Sequence, residues 1–435
     1  MKILWVTNLP IAGAAEELKV RAASGTWMEP TLDDLKEKEG VRLGVACVAK
    51  TESTRVLSKD GVRYYCLPAR RERIYPFQKS DCRKAWEAVI EDFRPDVLMI
   101  WGTEYTYGLC AMLSAPAVPA VIMIQGLLGS IKRYYLGGLS GRELSACYSL
   151  RNFIKRDSLC RMQKWYGKRA GYEAQMLRMA GNALIENEWA KANCLRIAPE
   201  CRFFAFRQKI KRMFFDLRWE AEKCERHTVY CTAPVGYPLK GFHQVIRALA
   251  IVKEKYPDVC LRVPGMEDPF SAELRTRLKQ DGYVKYLMKL ITALNVRENV
   301  VFLGRLDSEE VGRELVRARV FVTASAIENQ SISLREAMTV GTPSIASFAG
   351  GMPETVRDGI DGRLCRFEEY AMLAEQIMAY FEDDALAESV SAAARKHMRE
   401  YMAEKSDAET LLDIYGRILE NEHKVNDHES KVPSR

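Results

Sequence analysis

The amino-acid sequence predicts an α/β protein made of two halves, each built from parallel βαβ units. Compact apolar runs alternate with helical stretches over residues 1–130, and the same alternation starts again near residue 227. Uninterrupted apolar runs are typical of strands that are buried on both faces of a parallel sheet. A chain of 435 residues is also long for one domain and comfortable for two.

Five strands are predicted in the first half, at residues 2–7, 42–48, 62–67, 96–101 and 120–124. Helical stretches such as 84–93 lie between them. The uncharged run 105–131 is long enough to span a membrane. Pro116, Pro119, Gln125 and several glycines interrupt it, so we interpret it as a helix, a turn and a buried strand.

The second half repeats the pattern, with strands predicted at 228–232, 259–263, 300–303, 320–323 and 344–346. Helices are predicted at 242–255, 273–294 and 309–318, and long helical stretches run from 369 to about 422. The polar residues 426–435 are predicted to be a disordered tail. In two such halves a ligand is expected in the cleft between them, at the carboxyl ends of the strands.

The spacing of the cysteines and the distribution of charge limit the possible metal sites, compartment and partners. Twelve cysteines occur without a CxxC pair or a Cys/His cluster, which argues against zinc and favours a reduced, cytosolic protein. The net charge is +7, and residues 131–226 contain 21 Lys and Arg against 10 Asp and Glu, a surplus of +11. This basic middle predicts an acidic partner: nucleic acid, anionic lipid headgroups or a phosphorylated acceptor.

The stretch 151–166 within the basic middle mixes cations with apolar side chains, among them Phe153, Ile154, Met162 and Trp165. It has two interpretations. One is a helix that covers the first sheet with a solvated charged face, and the other is a surface that meets a membrane. Nucleic acid ranks lower as a partner, because the basic residues form no recognisable nucleic-acid-binding module.

Two carboxylates, Glu328 and Glu336, are the most informative residues of the chain. The apolar run 320–324 before them predicts a buried strand, and 334–338 predicts the first turn of a helix. Backbone N–H groups at such a helix N-terminus favour an anion such as phosphate. Two carboxylates beside an anion site suit a ligand with hydroxyls next to phosphates, as in a nucleotide-sugar.

Other motifs have a structural and a functional interpretation. Lys240-Gly241 opens a helix on the same edge as the carboxylates and is placed to reach a diphosphate, although most such lysines are simply solvated. Gly350-Gly351 permits either a plain turn or close packing on a ligand. Gly13 could let backbone approach a ligand or could serve a turn. A P-loop and a GxGxxG after the first strand are both absent.

Together these motifs resemble the donor-site signature of the family 4 retaining glycosyltransferases. The matching pattern is Ser325, Glu328-x7-Glu336, Gly341-x-Pro343, Gly350-Gly351, Glu354 and Gly359-x-x-Gly362, with Lys240-Gly241 upstream. The resemblance is close over 227–375, looser over 1–130, and nearly vanishes over 131–226. Its Glu-Asn start, Glu328-Asn329, is similar to the subset that acts in surface polysaccharide assembly.

The resemblance implies the GT-B fold, with two Rossmann-like domains facing across a cleft and a C-terminal helical segment. Residues 1–222 would form the acceptor-side domain, with 131–222 basic and helical. Residues 223–405 would form the donor domain, and 406–435 a C-terminal helix and a disordered tail.

Residue roles follow from the same resemblance. Glu328, the catalytic-site carboxylate, would bind donor-sugar hydroxyls, Glu336 the ribose hydroxyls, and Lys240 the diphosphate. The other implied donor-site residues are Gly241, Arg305, Leu306, Asn329, Gln330, Ser331, Ile332 and Ser333. Gly13, Glu104 and Gln125 are expected on the acceptor side.

Two departures from the family pattern bear on mechanism. No arginine occurs at 232–236, where the family often has one before the Lys, so Arg305 would have to compensate the diphosphate. No histidine precedes His227. A retaining route in which the leaving diphosphate takes the acceptor proton needs no such base, whereas an inverting enzyme usually does.

The expected activity is therefore a hexosyltransferase-type glycosyl transfer from a UDP- or GDP-sugar to a glycan or lipid-linked acceptor. No cofactor and no metal are expected beyond the nucleotide-sugar substrate, and no nucleic-acid partner. The expected location is cytoplasmic, with peripheral contact at the inner face of an anionic membrane as a further expectation. The alternatives are a catalytically silent nucleotide-sugar-binding subunit of a polysaccharide assembly complex, and a phosphorylase or epimerase on the same fold.

Overall fold

The computed structural model describes residues 1–19, 28–68, 80–232, 236–270, 280–402 and 406–429. They form two compact units. Unit 1 contains the described residues of Met1–Leu128, Lys168–Lys209 and Glu404–Arg435, and unit 2 those of Gly129–Gly167 and Ile210–Ala403.

Unit 1 is built on an eight-stranded sheet. Its strands are β1 (Lys2–Thr7), β2 (Arg42–Ala49), β3 (Arg55–Lys59), β4 (Val62–Pro68), β5 (Val97–Trp101), β6 (Ala120–Met123), β7 (Asn182–Ile185) and β8 (Arg202–Ala205). Their spatial order is β3-β4-β2-β1-β5-β6-β7-β8, and only the β3–β4 pair is antiparallel. The predicted parallel sheet of the first half is confirmed.

The helices of unit 1 cover both faces of this sheet. They are α1 (Ala12–Glu17), α2 (Glu29–Lys36), α3 (Ser80–Phe93), α4 (Tyr107–Ser114), α9 (Glu188–Ile197) and α18 (Asp407–Glu429), with the second part of α8 (Leu159–Ala180). On one face, α18 contributes Leu411 and Tyr415 to a core that contains Trp5 and Trp101. The uncharged run 105–131 forms α4, β6 and the start of the next helix, as predicted.

Unit 2 is built on a six-stranded, wholly parallel sheet. Its strands are β9 (Glu225–Cys231), β10 (Cys260–Val263), β11 (Val300–Phe302), β12 (Ala318–Thr323), β13 (Ser344–Ser347) and β14 (Arg363–Cys365). They lie in the order β11-β10-β9-β12-β13-β14, so β9 and β12 are central neighbours. Loops that leave the carboxyl ends of these two strands therefore emerge side by side.

The helices of unit 2 come from two stretches of chain. They are α5 (Leu128–Tyr134), α6 (Gly141–Ala146), α7 (Leu150–Lys155), the first part of α8, α10 (Met213–Asp216), α11 (Phe242–Lys255), α12 (Gly282–Ala293), α13 (Ser308–Arg317), α14 (Ile332–Val340), α15 (Met352–Thr355), α16 (Tyr370–Glu382) and α17 (Asp384–Met402). The predicted helix 273–294 is confirmed over its second part, and its residues up to 279 lie outside the described ranges.

The division of the chain differs from the predicted domains 1–222 and 223–405. Within 129–167, Tyr135, Leu139 and Cys147 are buried in the same apolar cluster as the unit 2 strands, and so is Trp219. Their burial groups these stretches with the second sheet. The C-terminal helix also extends to Glu429, beyond the predicted start of the tail at 426, and packs on the first sheet. Residues 430–435 of the predicted tail lie outside the described ranges.

Four strands escaped the sequence analysis, for different physical reasons. Strand β3 is an exposed edge strand without an apolar run, and it pairs with β4 through Asp60 and Gly61, which both have positive φ. Such an Asp-Gly turn is a hairpin signal that could have found it. Strands β7, β8 and β14 have three or four residues each, and β8 and β14 begin with an arginine and are only partly buried, so they lack a fully apolar run. None of the described helices is both long and apolar enough to cross a membrane.

Candidate active site

The donor-side loop of unit 2 comprises residues 324–331 and joins β12 to α14. It lies beside the turn 236–241, which leaves the neighbouring strand β9. The backbone N–H of Ala326 donates to the Leu239 carbonyl at 2.8 Å. Gly241 has φ +72°, and a Cβ there would overlap the Ala324 carbonyl oxygen. Only glycine therefore lets the two loops come this close.

A second glycine turn holds the other end of the donor-side loop. The Gly351 N–H donates to the Glu328 carbonyl at 3.0 Å. Gly350 has φ +60°, and a Cβ there would overlap the same carbonyl oxygen. The glycine turn therefore packs closely on the loop that carries Glu328, and its predicted packing on a ligand stays a prediction.

Lys240 and Glu328 meet between these two turns. The Lys240 ammonium lies 2.6 Å from Glu328 Oε2, and both side chains are largely buried. Burial alone would lower the pKa of Lys240, but the Glu328 carboxylate outweighs it and holds that pKa above its ordinary value. The two residues predicted to bind diphosphate and sugar are thus direct partners.

Hydroxyl groups surround the N-terminus of α14. Ser331 is its N-cap, and its Oγ accepts from the Leu334 N–H at 3.2 Å and lies 3.1 Å from Ser333 Oγ. Thr232, at the end of β9, donates to Ser333 Oγ at 2.9 Å. This arrangement places a helix N-terminus beside the Lys240 turn, as an anion site requires.

The remaining predicted residues of this loop have distinct environments. Asn329 is buried, and Ile332 is the first residue of α14. The Gln330 side chain reaches back to α17, where its Nε2 donates to the Tyr401 hydroxyl at 3.2 Å. Its side-chain contact is therefore structural, and only its backbone remains a candidate for the ligand.

Glu336 lies in the second turn of α14, because the helix begins two residues before the predicted 334. Burial raises the pKa of Glu336 to about 7, against the opposing charges of Lys211 and Arg335. Lys211, whose Nζ donates to Ser308 Oγ at 2.9 Å, was not found from the sequence. It belongs to a basic stretch without a motif, and only its fold position brings it near Glu336.

Arg305 and Leu306 follow β11 at the far edge of the same sheet. Gly304 has φ +68° there, and its backbone pairs with Gly265 and Met266. Arg305 is exposed, and across the described ranges no hydrogen bond or ion pair joins it to Lys240 or Glu328. Its predicted role in compensating the diphosphate stays a prediction. Of the stretch that lacks the family arginine, residues 233–235 lie outside the described ranges.

Part of the basic middle supports the Lys240 turn. Gly137 has φ +56°, and a Cβ there would overlap the Pro238 carbonyl oxygen. His243 Nε2 donates to the Gly137 carbonyl at 2.9 Å, and its Nδ1 accepts from the Tyr283 hydroxyl at 2.8 Å. Burial, with the nearby Arg247 charge, lowers the pKa of His243 to about 4. Apart from the Gly137-Gly138 pair, no sequence pattern indicates this support.

Unit 1 has its own polar cluster at the carboxyl ends of β1, β5 and β6. Asn8 Nδ2 donates to Glu104 Oε2 at 2.9 Å. Gly102 has φ +85°, and a Cβ there would overlap Glu104 Oε2 and lie 2.9 Å from Gln125 Oε1. The predicted residues Glu104 and Gln125 are therefore brought together, and Asn8 is an addition that the sequence analysis missed.

Buried charges lie behind this cluster. Burial raises the pKa of Glu104 to about 7, with Arg169 opposing and Glu173 adding to the shift. Glu173 is fully buried and accepts from Thr103 Oγ1 at 2.8 Å and from the Leu128 N–H at 2.9 Å.

Gly13, the third predicted acceptor-side residue, lies elsewhere. A Cβ on Gly13 would stand 2.9 Å from the Tyr64 ring and 3.2 Å from Lys59. The glycine therefore packs α1 against the β3–β4 hairpin, which is a structural reason for its presence. The described residues contain no group of three or more His, Cys, Asp or Glu side chains that could hold a metal ion.

Comparison with known proteins finds a family match in the second half of the chain. Residues 214–397, less than half of the 435 residues, match the family model described as glycosyl transferases group 1. The predicted family resemblance is confirmed, and the matched segment contains Lys240, Glu328 and Glu336.

Curated relatives match the chain over part of its length. The chain is 28% identical over 186 residues to D-inositol 3-phosphate glycosyltransferase of Streptomyces coelicolor, covering 42% of this chain and 39% of that relative. It is 26% identical over 136 residues to N-acetyl-alpha-D-glucosaminyl L-malate synthase of Bacillus anthracis, covering 31% and 35%. The chain thus spans about two fifths of the length of these relatives.

Solved structures match over nearly the whole chain. Sucrose-phosphate synthase of Thermosynechococcus elongatus has a TM-score of 0.69 at 16% identity, covering 97% of this chain and 99% of that one. Anabaena HepE, in complex with UDP and glucose, has a TM-score of 0.63 at 17% identity, covering 97% and 100%. At these identities the likeness shows the fold alone. The predicted GT-B fold class, with two Rossmann-like units, is confirmed.

Proposed function

We propose that the protein is a retaining glycosyltransferase that moves a sugar from a UDP- or GDP-sugar to a glycan or lipid-linked acceptor in surface polysaccharide synthesis. The observation that carries the proposal is the Lys240–Glu328 pair, held by two glycine turns beside the N-terminus of α14. The match of residues 214–397 to the group 1 family model supports it, and so does the presence of UDP and UDP-glucose in HepE structures.

Donor binding would rearrange the charge pair. A diphosphate at the α14 N-terminus competes with Glu328 for the Lys240 ammonium, because phosphate oxygens are strong acceptors for a cation. Glu328 is then released to accept hydrogen bonds from the donor-sugar hydroxyls. The two residues of one ion pair thereby bind the diphosphate and the sugar. Before the donor binds, their pairing ensures that neither charge is buried without a partner.

The nucleoside would be held further along the same edge. Glu336 would accept from the ribose hydroxyls, which favours its charged form over the neutral form that burial favours. Lys211 would add positive charge there. Residues Gly304 to Leu306 would line the base, and no metal or other cofactor is required in this scheme.

Glu104, Asn8 and Gln125 would orient the acceptor. In the retaining route, the leaving diphosphate takes the proton of the acceptor hydroxyl while the new glycosidic bond forms on the same face of the sugar. The protein then supplies positioning and stabilisation of the leaving group. Residues 1–226 contain no histidine that could act as a general base.

A donor screen tests the proposal. A nucleotide-sugar that binds only the native state raises the melting temperature, so a thermal-shift panel of UDP- and GDP-sugars should identify the donor. With that donor, Glu328→Gln should reduce turnover by about 100- to 1,000-fold. The matched control is Glu368→Gln, an exposed carboxylate outside the site. EDTA should leave turnover unchanged, and the product should keep the donor's anomeric configuration by NMR.

The same experiment separates the alternatives. Donor binding without turnover across a panel of acceptors would contradict an enzyme and favour a silent subunit. A strict requirement for inorganic phosphate would point to a phosphorylase, and interconversion of the free donor to an epimerase. Equal turnover of Glu328→Gln and wild type would overturn the donor-site assignment.

A further inference from the structure

Helix α7 (Leu150–Lys155) buries its polar side and exposes its apolar side, which is the reverse of a typical surface helix. Its polar residues Ser149 and Asn152 are buried, 8% and 3% exposed. Leu150, Phe153 and Ile154 are 71%, 72% and 70% exposed, and Tyr148 just before the helix is 61% exposed. Single exposed apolar residues are ordinary, but four within seven residues form a patch that calls for a partner.

The polar side of α7 is fixed by hydrogen bonds. Ser149 caps the helix by accepting from the Asn152 N–H at 3.2 Å. Asn152 Nδ2 donates to Asp281 at 3.0 Å, and its Oδ1 accepts from the Gly282 N–H at 2.8 Å. Arg151 also lies 2.9 Å from Asp281. Rolling the helix to bury its apolar side would break all of these bonds, so the apolar side is held outward.

Exposed cations lie in the same stretch of chain as the apolar residues. The stretch 129–167 has eight Lys and Arg residues and two acidic ones, a net charge of +6. Lys155 and Arg156 directly follow Ile154, are exposed, and form no ion pair with an acidic residue in the ranges that the structure describes. The same holds for Arg142, Arg161 and Lys164.

We propose that residues 148–156 form a membrane-binding surface for anionic lipid. Tyr148, Leu150, Phe153 and Ile154 enter the boundary between headgroups and acyl chains, and Lys155 and Arg156 meet the lipid phosphates. The surrounding positive charge favours an anionic bilayer over an uncharged apolar partner. This combination of inserted side chains and cations provides the two signals that stable peripheral binding needs. The proposal does not depend on glycosyl transfer, and its test requires no donor.

Vesicle co-sedimentation of the full chain tests the surface. The protein should bind vesicles of phosphatidylcholine with 30% phosphatidylglycerol at least tenfold more tightly than pure phosphatidylcholine, and more weakly at 0.5 M salt than at 0.05 M. The triple variant Leu150→Ser/Phe153→Ser/Ile154→Ser should lose at least tenfold in affinity. Its melting temperature should not fall, because only exposed side chains change.

Two further variants keep the test specific. Ile360→Ser/Met372→Ser removes two apolar side chains, 55% and 52% exposed, outside the patch and should bind like wild type. Lys155→Gln/Arg156→Asn removes two charges and should weaken binding to anionic vesicles alone; Asn suits the left-handed φ of +53° at Arg156.

Three outcomes would overturn the proposal. The first is no binding to anionic vesicles by the wild type. The second is unchanged binding by the triple variant. The third is a wild-type dimer that becomes a monomer in the triple variant, by size exclusion with light scattering, without any change in vesicle binding. That last result would assign the patch to a second copy of the chain.

Discussion

The donor-side loop of unit 2 and the Glu104 turn of unit 1 both follow a buried parallel strand and both present a glutamate. They differ in what holds that glutamate. The loop of Glu328 is fixed through its backbone by the turns at Gly241 and Gly350. Glu104 is instead held through its side chain, by Asn8 and by the space at Gly102. A backbone contact demands glycine and leaves a spacing in the sequence, whereas a side-chain contact can be made by many residues.

Gly350→Ala should have the largest effect on turnover, because it displaces a loop that is held through its backbone. Its Cβ would overlap the Glu328 carbonyl oxygen, so the donor-side loop must shift. A displacement of about 1 Å can cost on the order of 100-fold in rate. We expect a loss of that size in turnover with the donor found by thermal shift. Gly181→Ala is the matched control, since Gly181 has a similar φ of +58° but open space around its Cβ.

The control variant separates the cost of backbone strain at the alanine from the effect of displacing the Glu328 loop. Both alanines adopt a left-handed conformation, at a cost of roughly 1–2 kcal/mol each. Only Gly350→Ala moves the loop. Equal turnover of the two variants would show that the glycine turn does not position Glu328. It would contradict the conclusion that backbone contacts fix the Glu328 loop.

Glu104→Gln tests the glutamate of unit 1, which is held through its side chain. The amide keeps a hydrogen bond with Asn8 but loses the carboxylate charge. If Glu104 orients the acceptor, transfer should fall by about tenfold while donor affinity stays the same. Isothermal titration with the donor and a transfer assay measure the two quantities separately. Reduced donor affinity in this variant would contradict an acceptor-side role.

The same distinction explains what could be predicted from sequence. Ten of the fourteen strands were found because burial on two faces requires apolar runs. The Glu328 loop was found because an apolar run precedes two carboxylates at the start of a helix, and the glycines at 241 and 350 in the same signature are backbone requirements. Asn8 and Lys211 were missed, since their partners Glu104 and Glu336 are distant in sequence and no motif marks them. The placement of 129–167 with unit 2 was missed because its basic composition obscured buried residues such as Tyr135.

The pH dependence of donor affinity should distinguish Glu336 from Glu104, although burial raises both pKa values to about 7. Ribose hydroxyls would bind the charged form of Glu336, so donor affinity should rise several-fold between pH 6 and pH 8. A nucleotide-sugar suits the measurement, because its diphosphate does not titrate in this range. The rise should vanish in Glu336→Gln and persist in Glu104→Gln. Its persistence in both variants would remove Glu336 from the ribose site.

The His243 contacts that support the Lys240 turn should affect the free energy of unfolding in acid. His243 has a native pKa of about 4, below its ordinary 6.5, so the unfolded state binds more protons between these values. Stability is therefore full above pH 6.5 and is lost as pH falls toward 4, by about 2 kcal/mol at pH 5. His243→Gln, which can still donate to the Gly137 carbonyl, lacks this loss. Urea unfolding at pH 5 and pH 8 should thus show a smaller drop in the free energy of unfolding for the variant, and an equal drop in both proteins would mean that His243 is not held neutral by its burial.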